Sequence, residues 1–182
     1  MTTFALISAI ASLVLFAGFV AVSFKRFGIL SSYSSYASKW EAAVPLDHGT
    51  HLWSAITVIV AVLLVPAMLE VGDESPLQFL GFFAPAYLIV AAVTPDYEYR
   101  PGDNEYDQKR RLRQRIIHFV GAVICAAASV IWVILALRLW YLVPAALVLA
   151  GIAAYFTKTY RECYVLWAEL AMFAAVYAAV LI

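Results

Sequence analysis

The residues best suited to chemistry in this 182-residue sequence are its three histidines, His48, His51 and His118. His48 and His51 are spaced i, i+3, so on a helix they share one face. Asp47 stands beside them, and His118 and Asp96 fall at the matching ends of two later apolar runs. That places three imidazoles and a carboxylate at one depth. Three protein ligands with an open fourth position suit a catalytic zinc ion, which acidifies a bound water and polarises a carbonyl. A zinc site built from His48, His51, His118 and Asp96 is therefore one expectation. The alternative is three separate histidines, each solvated or bonded to a headgroup phosphate, because HxxH spacing by itself specifies no metal.

Glu169 is the second candidate, a formal charge well inside an apolar run. A carboxylate there is costly when ionised and unpaired. It is expected either to handle a proton, ion or ligand, or to bond a hydroxyl or indole on another helix, with Ser12, Tyr87, Ser129 and Trp132 as possible donors. Cys125 lies among alanines and reads as a small hydrophobe. Cys125 and Cys163 have no CxxC spacing, so neither a disulfide framework nor a thiolate zinc site is expected. The sequence has no P-loop, dinucleotide fingerprint, GxSxG or HExxH, so phosphate cradles and the familiar hydrolase machineries lack support.

The elements that must hold these groups follow from composition. The chain is 65% hydrophobic and 13% charged, where soluble domains run at about 45–50% and about 25%. Twelve Lys and Arg balance twelve Asp and Glu, so no net positive charge exists to neutralise a nucleic acid backbone. A bilayer is the solvent this composition fits. A helical span needs about 20 mostly apolar residues. Six stretches qualify: about 4–24, 51–71, 77–94, 116–137, 139–156 and 162–182. The third and fifth are short and contain Pro85 and Pro144, so kinking, tilting or partial re-entry is expected of them. The first lacks a basic n-region and is followed by Lys25-Arg26, which reads as a retained helix, not a signal peptide.

Basic residues orient such a bundle. Lys25, Arg26 and Lys39 fall in the first connection, Arg100 and the Lys109–Arg115 cluster in the third, and Lys158 and Arg161 in the fifth. The second connection carries Glu70, Asp73 and Glu74, and the fourth only Arg138. Eleven of twelve basic residues thus fall on alternate connections. An all-α, single-domain, six-span bundle with both termini outside the cytoplasm is expected. KRRLRQR at 109–115 reads as an N-terminal extension of the fourth spanning helix, meeting anionic headgroups at about 1 kcal/mol per charge.

The first connection repeats Ser-Ser-Tyr at 31–33 and 34–36. Ser31, Ser34, Tyr33, Tyr36 and Trp40 suit the headgroup layer, where amphipathic rings settle. An interfacial anchor is the plain reading, and a lid over a cavity the sharper one. Gly121, Cys125 and Ser129, at steps of four, form a small-residue stripe that admits a close helix. Ser8 and Ser12 do the same in the first span.

GILSSYSSY at 28–36, VPAMLE at 65–70, LQFLGF at 77–82 and IHFVGAVICAAASVIWV at 117–133, with WAEL at 167–170, together resemble an uncharacterised family of small polytopic membrane proteins of bacteria and their phages. The resemblance implies a bundle of this kind with Ser, Tyr, His118 and Glu169 as its polar marks, and the location expected for the chain is the bacterial inner membrane. His48 and His51 stand outside that pattern. A looser likeness is to ceramidase-like membrane hydrolases, zinc enzymes with three His, an Asp and a Ser near one membrane face. It would cast His48, His51, His118, Asp96 and one of Ser31, Ser32, Ser34 or Ser35 in those roles, although the paired HxxxH is missing and the chain is one span short.

Three functions are therefore carried forward. The first is a protein that binds lipid or a membrane partner. The second is a zinc-dependent hydrolase of a lipid amide or ester at the cytoplasmic face. The third is a small transporter using Glu169, possible as a homo-oligomer because six short helices enclose little volume.

Overall fold

The computed structural model describes residues 1–44, 48–94 and 105–182, with the backbone alone at residues 48–50, 105 and 107. The described residues form seven α-helices: α1 (Thr3–Phe27), α2 (Ser35–Ala43), α3 (His48–Val71), α4 (Leu80–Val93), α5 (Glu105–Ile131), α6 (Leu142–Phe156) and α7 (Tyr164–Leu181). A π-helical turn, Trp132–Ala136, continues α5. No strand occurs among the described residues.

Four helical stretches, Thr3–Phe27, His51–Val71, Gln108–Ala136 and Tyr164–Leu181, are long and apolar enough to cross a membrane. They coincide with the first, second, fourth and sixth expected spans. Helices α4 and α6 are apolar but have 14 and 15 residues. At 1.5 Å per residue each extends about 21–23 Å, short of the roughly 30 Å hydrocarbon core. Residues 77–79 and 139–141, which the apolar runs include, are turns. The first of these turns is fixed by Gln78, whose Nε2 donates to Leu69 O at 2.9 Å. Pro144 lies in the first turn of α6, where a missing N–H is tolerated, while Pro66 and Pro85 lie inside α3 and α4.

Small residues let the helices approach. A Cβ on Gly81 would fall 2.9 Å from Met68 O, so α4 meets α3 at van der Waals limit there. A Cβ on Gly121 would lie 3.1 Å from Ala91 N, which brings α5 equally close to α4. Ser8 donates to Leu63 O at 2.6 Å and Ser12 to Val60 O at 2.8 Å, tying α1 to α3. Because the single Ser12 hydroxyl proton is committed to that carbonyl, Tyr177 OH must be the donor in its 2.8 Å bond to Ser12. One serine thus joins α1, α3 and α7. Helix α6 packs through Ala146 against Ala171 and Ala175 of α7. Its other side leaves Val148, Leu149, Tyr155 and Phe156 exposed, as a lipid-facing surface would.

Leaving α2 aside, successive helices run in opposite directions, so α3, α5 and α7 run parallel to one another and antiparallel to α1. Thr2, ahead of α1, bonds Glu70 at the end of α3, and Gly72 lies against Trp132 at the end of α5. At the opposite end Cys163 meets Ile29, and Ser54 donates to Ala92 O. Lys25, Arg26, Lys39, the Lys109–Arg115 cluster, Lys158 and Arg161 therefore gather at one end of the molecule. Glu70, Asp73, Glu74 and Arg138 gather at the other.

Candidate functional site

The Ser-Ser-Tyr repeat builds one wall of the site. Gly28, with φ of 76°, closes α1 in a conformation that glycine adopts without strain, and the chain turns back toward the bundle. Residues 29–34 then dock on α7: Leu166 N–H donates to Ser31 O at 3.1 Å, and Tyr33 N–H donates to Glu169 Oε2 at 2.7 Å. Thr57 spends its own proton on Trp53 O, so Tyr33 OH donates to Thr57 Oγ1 at 3.0 Å. Tyr33 consequently clamps α3 and α7 together. Tyr36 donates to Gly28 O at 2.8 Å and accepts from Leu30 N–H, and burial pushes its phenol above the ordinary range, which keeps it a donor.

The rings expected at the headgroup layer lie inside the protein: Tyr33 is 4% exposed, Tyr36 0% and Trp40 6%. Trp40 stacks on Phe19, donates to Ser23 Oγ at 3.0 Å and lies under the Arg26 guanidinium at 5.0 Å. Of the two serines named with them, Ser31 is exposed and Ser34 half-buried. The reason is α2, a nine-residue helix whose Tyr36, Ala37 and Trp40 form a buried face.

Between α3, α4, α5, α7 and this wall lies a cleft of about 730 Å³, counting the part open to the outside. Its lining is graded. Tyr33, Ser34, Trp53, His118 and Glu169 line it toward the basic end, whereas Leu64, Met68, Ala84, Pro85, Met172 and Val176 line it deeper. Cys125 and Ser129 lie on the deep part of α5. From His118 to Ser129 the α5 wall descends about 16 Å at 1.5 Å per residue. Ser129 is buried and also borders an apolar groove of about 540 Å³ beside α6.

His118 Nδ1 lies 2.8 Å from Ala91 O. A carbonyl only accepts, so the tautomer assigned here carries its proton on Nδ1. The close α4–α5 approach at Gly121, one turn below, makes this bond possible. For Glu169 the sequence left open proton, ion or ligand handling or an interhelical bond, with Ser12, Tyr87, Ser129 and Trp132 as possible donors for the latter. The bond formed is instead from the Tyr33 main chain. An amide has no sequence signature, and Ser12 is taken by Val60 O and Tyr177.

Of the proposed zinc ligands, Asp96 and the His48 side chain lie outside the described residues, His51 is exposed at the start of α3, and His118 lines the cleft. Among the described residues no group of three His, Cys, Asp or Glu side chains is gathered as a metal site would need. Cys125 and Cys163 are both free thiols.

Comparison with protein-family models, with curated proteins and with solved structures gives no match. The functional reading therefore rests on the cleft.

Proposed function

We propose that this chain is a polytopic membrane protein of six crossings that binds an amphiphile in the cleft, head toward the basic end and tail between α3, α4, α5 and α7. The observation that carries this reading is the graded lining: Tyr33, Ser34, His118 and Glu169 at one end, and an apolar channel leading away from them. Ligand pockets commonly combine apolar walls with a few polar groups that fix orientation. The segregation of Lys and Arg at one end supports six crossings and a cytoplasmic position for that end. Helices α4 and α6 would then be matched by local bilayer thinning or by the apolar turn residues at 77–79 and 139–141. The binding head would sit near the cytoplasmic headgroup layer, where an amphiphile from that leaflet enters without lifting its charge through the membrane.

The test is native mass spectrometry of protein purified from membranes in a mild detergent. One retained amphiphile per chain is expected, and it should be lost in Ala122→Trp, because Ala122 lines the cleft on α5 and an indole there fills the channel, while the melting temperature of that variant shows it folded. Absence of any retained amphiphile, or one that persists in folded Ala122→Trp, would overturn the reading.

A further inference from the structure

We infer that the head group taken by the cleft is a hydrogen-bond donor, an amine or a hydroxyl, in preference to a carboxylate or phosphate. The inference rests on the reading that the cleft holds an amphiphile, and it comes from counting which polar groups there are already used.

Tyr33 and His118 have committed the donors that face this end. Tyr33 gives its N–H to Glu169 and its hydroxyl to Thr57. His118 gives Nδ1–H to Ala91 O. The Ser34 hydroxyl lies 3.0 Å from that of Ser32, either one donating, and Ser32 in turn meets Ser35. The Trp53 indole N–H has no partner, but it is sealed from the cleft by its own burial.

The strongest acceptor left at this end is Glu169. A carboxylate has about four lone-pair sites, and Glu169 uses one of them on Tyr33. With Nδ1 engaged on Ala91 O, Nε2 is the His118 ring nitrogen left to meet a head group. The neighbouring end of α4, whose last turn contains Ala91, contributes a partial negative charge of its own. An amine or hydroxyl would satisfy the open Glu169 acceptor sites beside His118, whereas a carboxylate or phosphate head would bring further acceptors against them.

Photoreactive C12 probes with amine, alcohol and carboxylate heads, each bearing a diazirine in the tail, test this on the full chain in lipid nanodiscs. Labelling of peptides covering 118–129 and 169–176 is read relative to the lipid-facing peptide 142–156, which corrects for partitioning. The amine, the alcohol or both should label the cleft at least about tenfold more than the carboxylate, a difference of about 1.4 kcal/mol. Glu169→Gln should abolish an amine preference while leaving an alcohol preference standing, which distinguishes the two sources. His118→Leu should reduce either one. Labelling of the cleft by all three probes alike, or best by the carboxylate, would overturn the inference and leave amphiphile binding intact. Failure of every probe to label the cleft would overturn the binding reading itself. A preference unchanged in the folded double variant Glu169→Gln/His118→Leu would also refute the inference.

Discussion

Glu169 offers the sharpest test of how the site is assembled. Its Oε2 accepts the Tyr33 N–H at 2.7 Å, and Tyr33 is buried, so water has poor access to replace a lost acceptor. Glu169→Met keeps the length of the side chain and removes the acceptor. Stranding a buried donor costs about 1–3 kcal/mol. Taking about 2 kcal/mol, local opening of the segment becomes about 30-fold more frequent. Glu169→Gln keeps a carbonyl oxygen that can accept from the same amide, so a smaller loss of about 1 kcal/mol, or about fivefold, is expected. The segment should not detach in either variant, because Leu166 N–H still holds Ser31 O and Tyr33 OH still holds Thr57. Hydrogen exchange followed by mass spectrometry on peptides covering 29–36 reads this directly. The expected order is wild type slowest, Gln intermediate and Met fastest, with α6 peptides unchanged. Exchange in the Met variant as slow as in wild type would refute the claim that Glu169 pins the segment, and uniform acceleration along the chain would show a global defect instead.

Other consequences follow from the packing. Gly81→Val drives a side chain into Met68 O, 2.9 Å from where the Cβ would sit, so a loss of about 1–3 kcal/mol is expected in chemical unfolding. Gly18→Ala and Gly151→Ala, with nothing within 4 Å, should be neutral or stabilising by up to about 1 kcal/mol, and a large loss there would contradict the packing described. A double-mutant cycle of Ser12→Ala and Tyr177→Phe should show a coupling of about 0.6–1.7 kcal/mol, the range for hydrogen bonds between membrane helices. Strict additivity would mean that the two hydroxyls do not meet. Lys158, with φ of 58° at the end of α6, should tolerate Gly with a gain of about 0.5–1 kcal/mol by thermal melting.

The long apolar helices were legible in the sequence because hydropathy summed over a span is a strong, local signal. Runs 4–24, 51–71, 116–137 and 162–182 reappear as α1, α3, α5 and α7, and KRRLRQR does extend α5 toward its N-terminus. The shorter runs were overextended, since Leu77, Phe79 and Leu139 are as apolar as their helical neighbours while the chain is turning. Helix α2 escaped notice because its mixed composition, SYASKWEAA, lacks a hydropathy peak, although Tyr36, Ala37 and Trp40 already carried the i, i+1, i+4 spacing of a buried face. Glu169 and His118 were recognisable as candidates from residue type and depth. Their actual partners, the Tyr33 amide and the Ala91 carbonyl, were not, because main-chain groups are the same at every position and only the tertiary fold selects among them. The cleft itself depends on which sides of α3, α4, α5 and α7 face one another, and hydropathy in a membrane helix is nearly uniform around its circumference.

The account depends most on the basic end of the bundle lying together on the cytoplasmic side, with the cleft's polar mouth beside it. Single cysteines at Glu74, Arg113 and Thr159, placed in a chain whose Cys125 and Cys163 are replaced by Ser, can be labelled with a membrane-impermeant maleimide in intact cells and again after permeabilisation. Reaction at position 74 in intact cells, and at 113 and 159 only once the membrane is opened, is the expected result. Reaction at 113 or 159 from outside would contradict it.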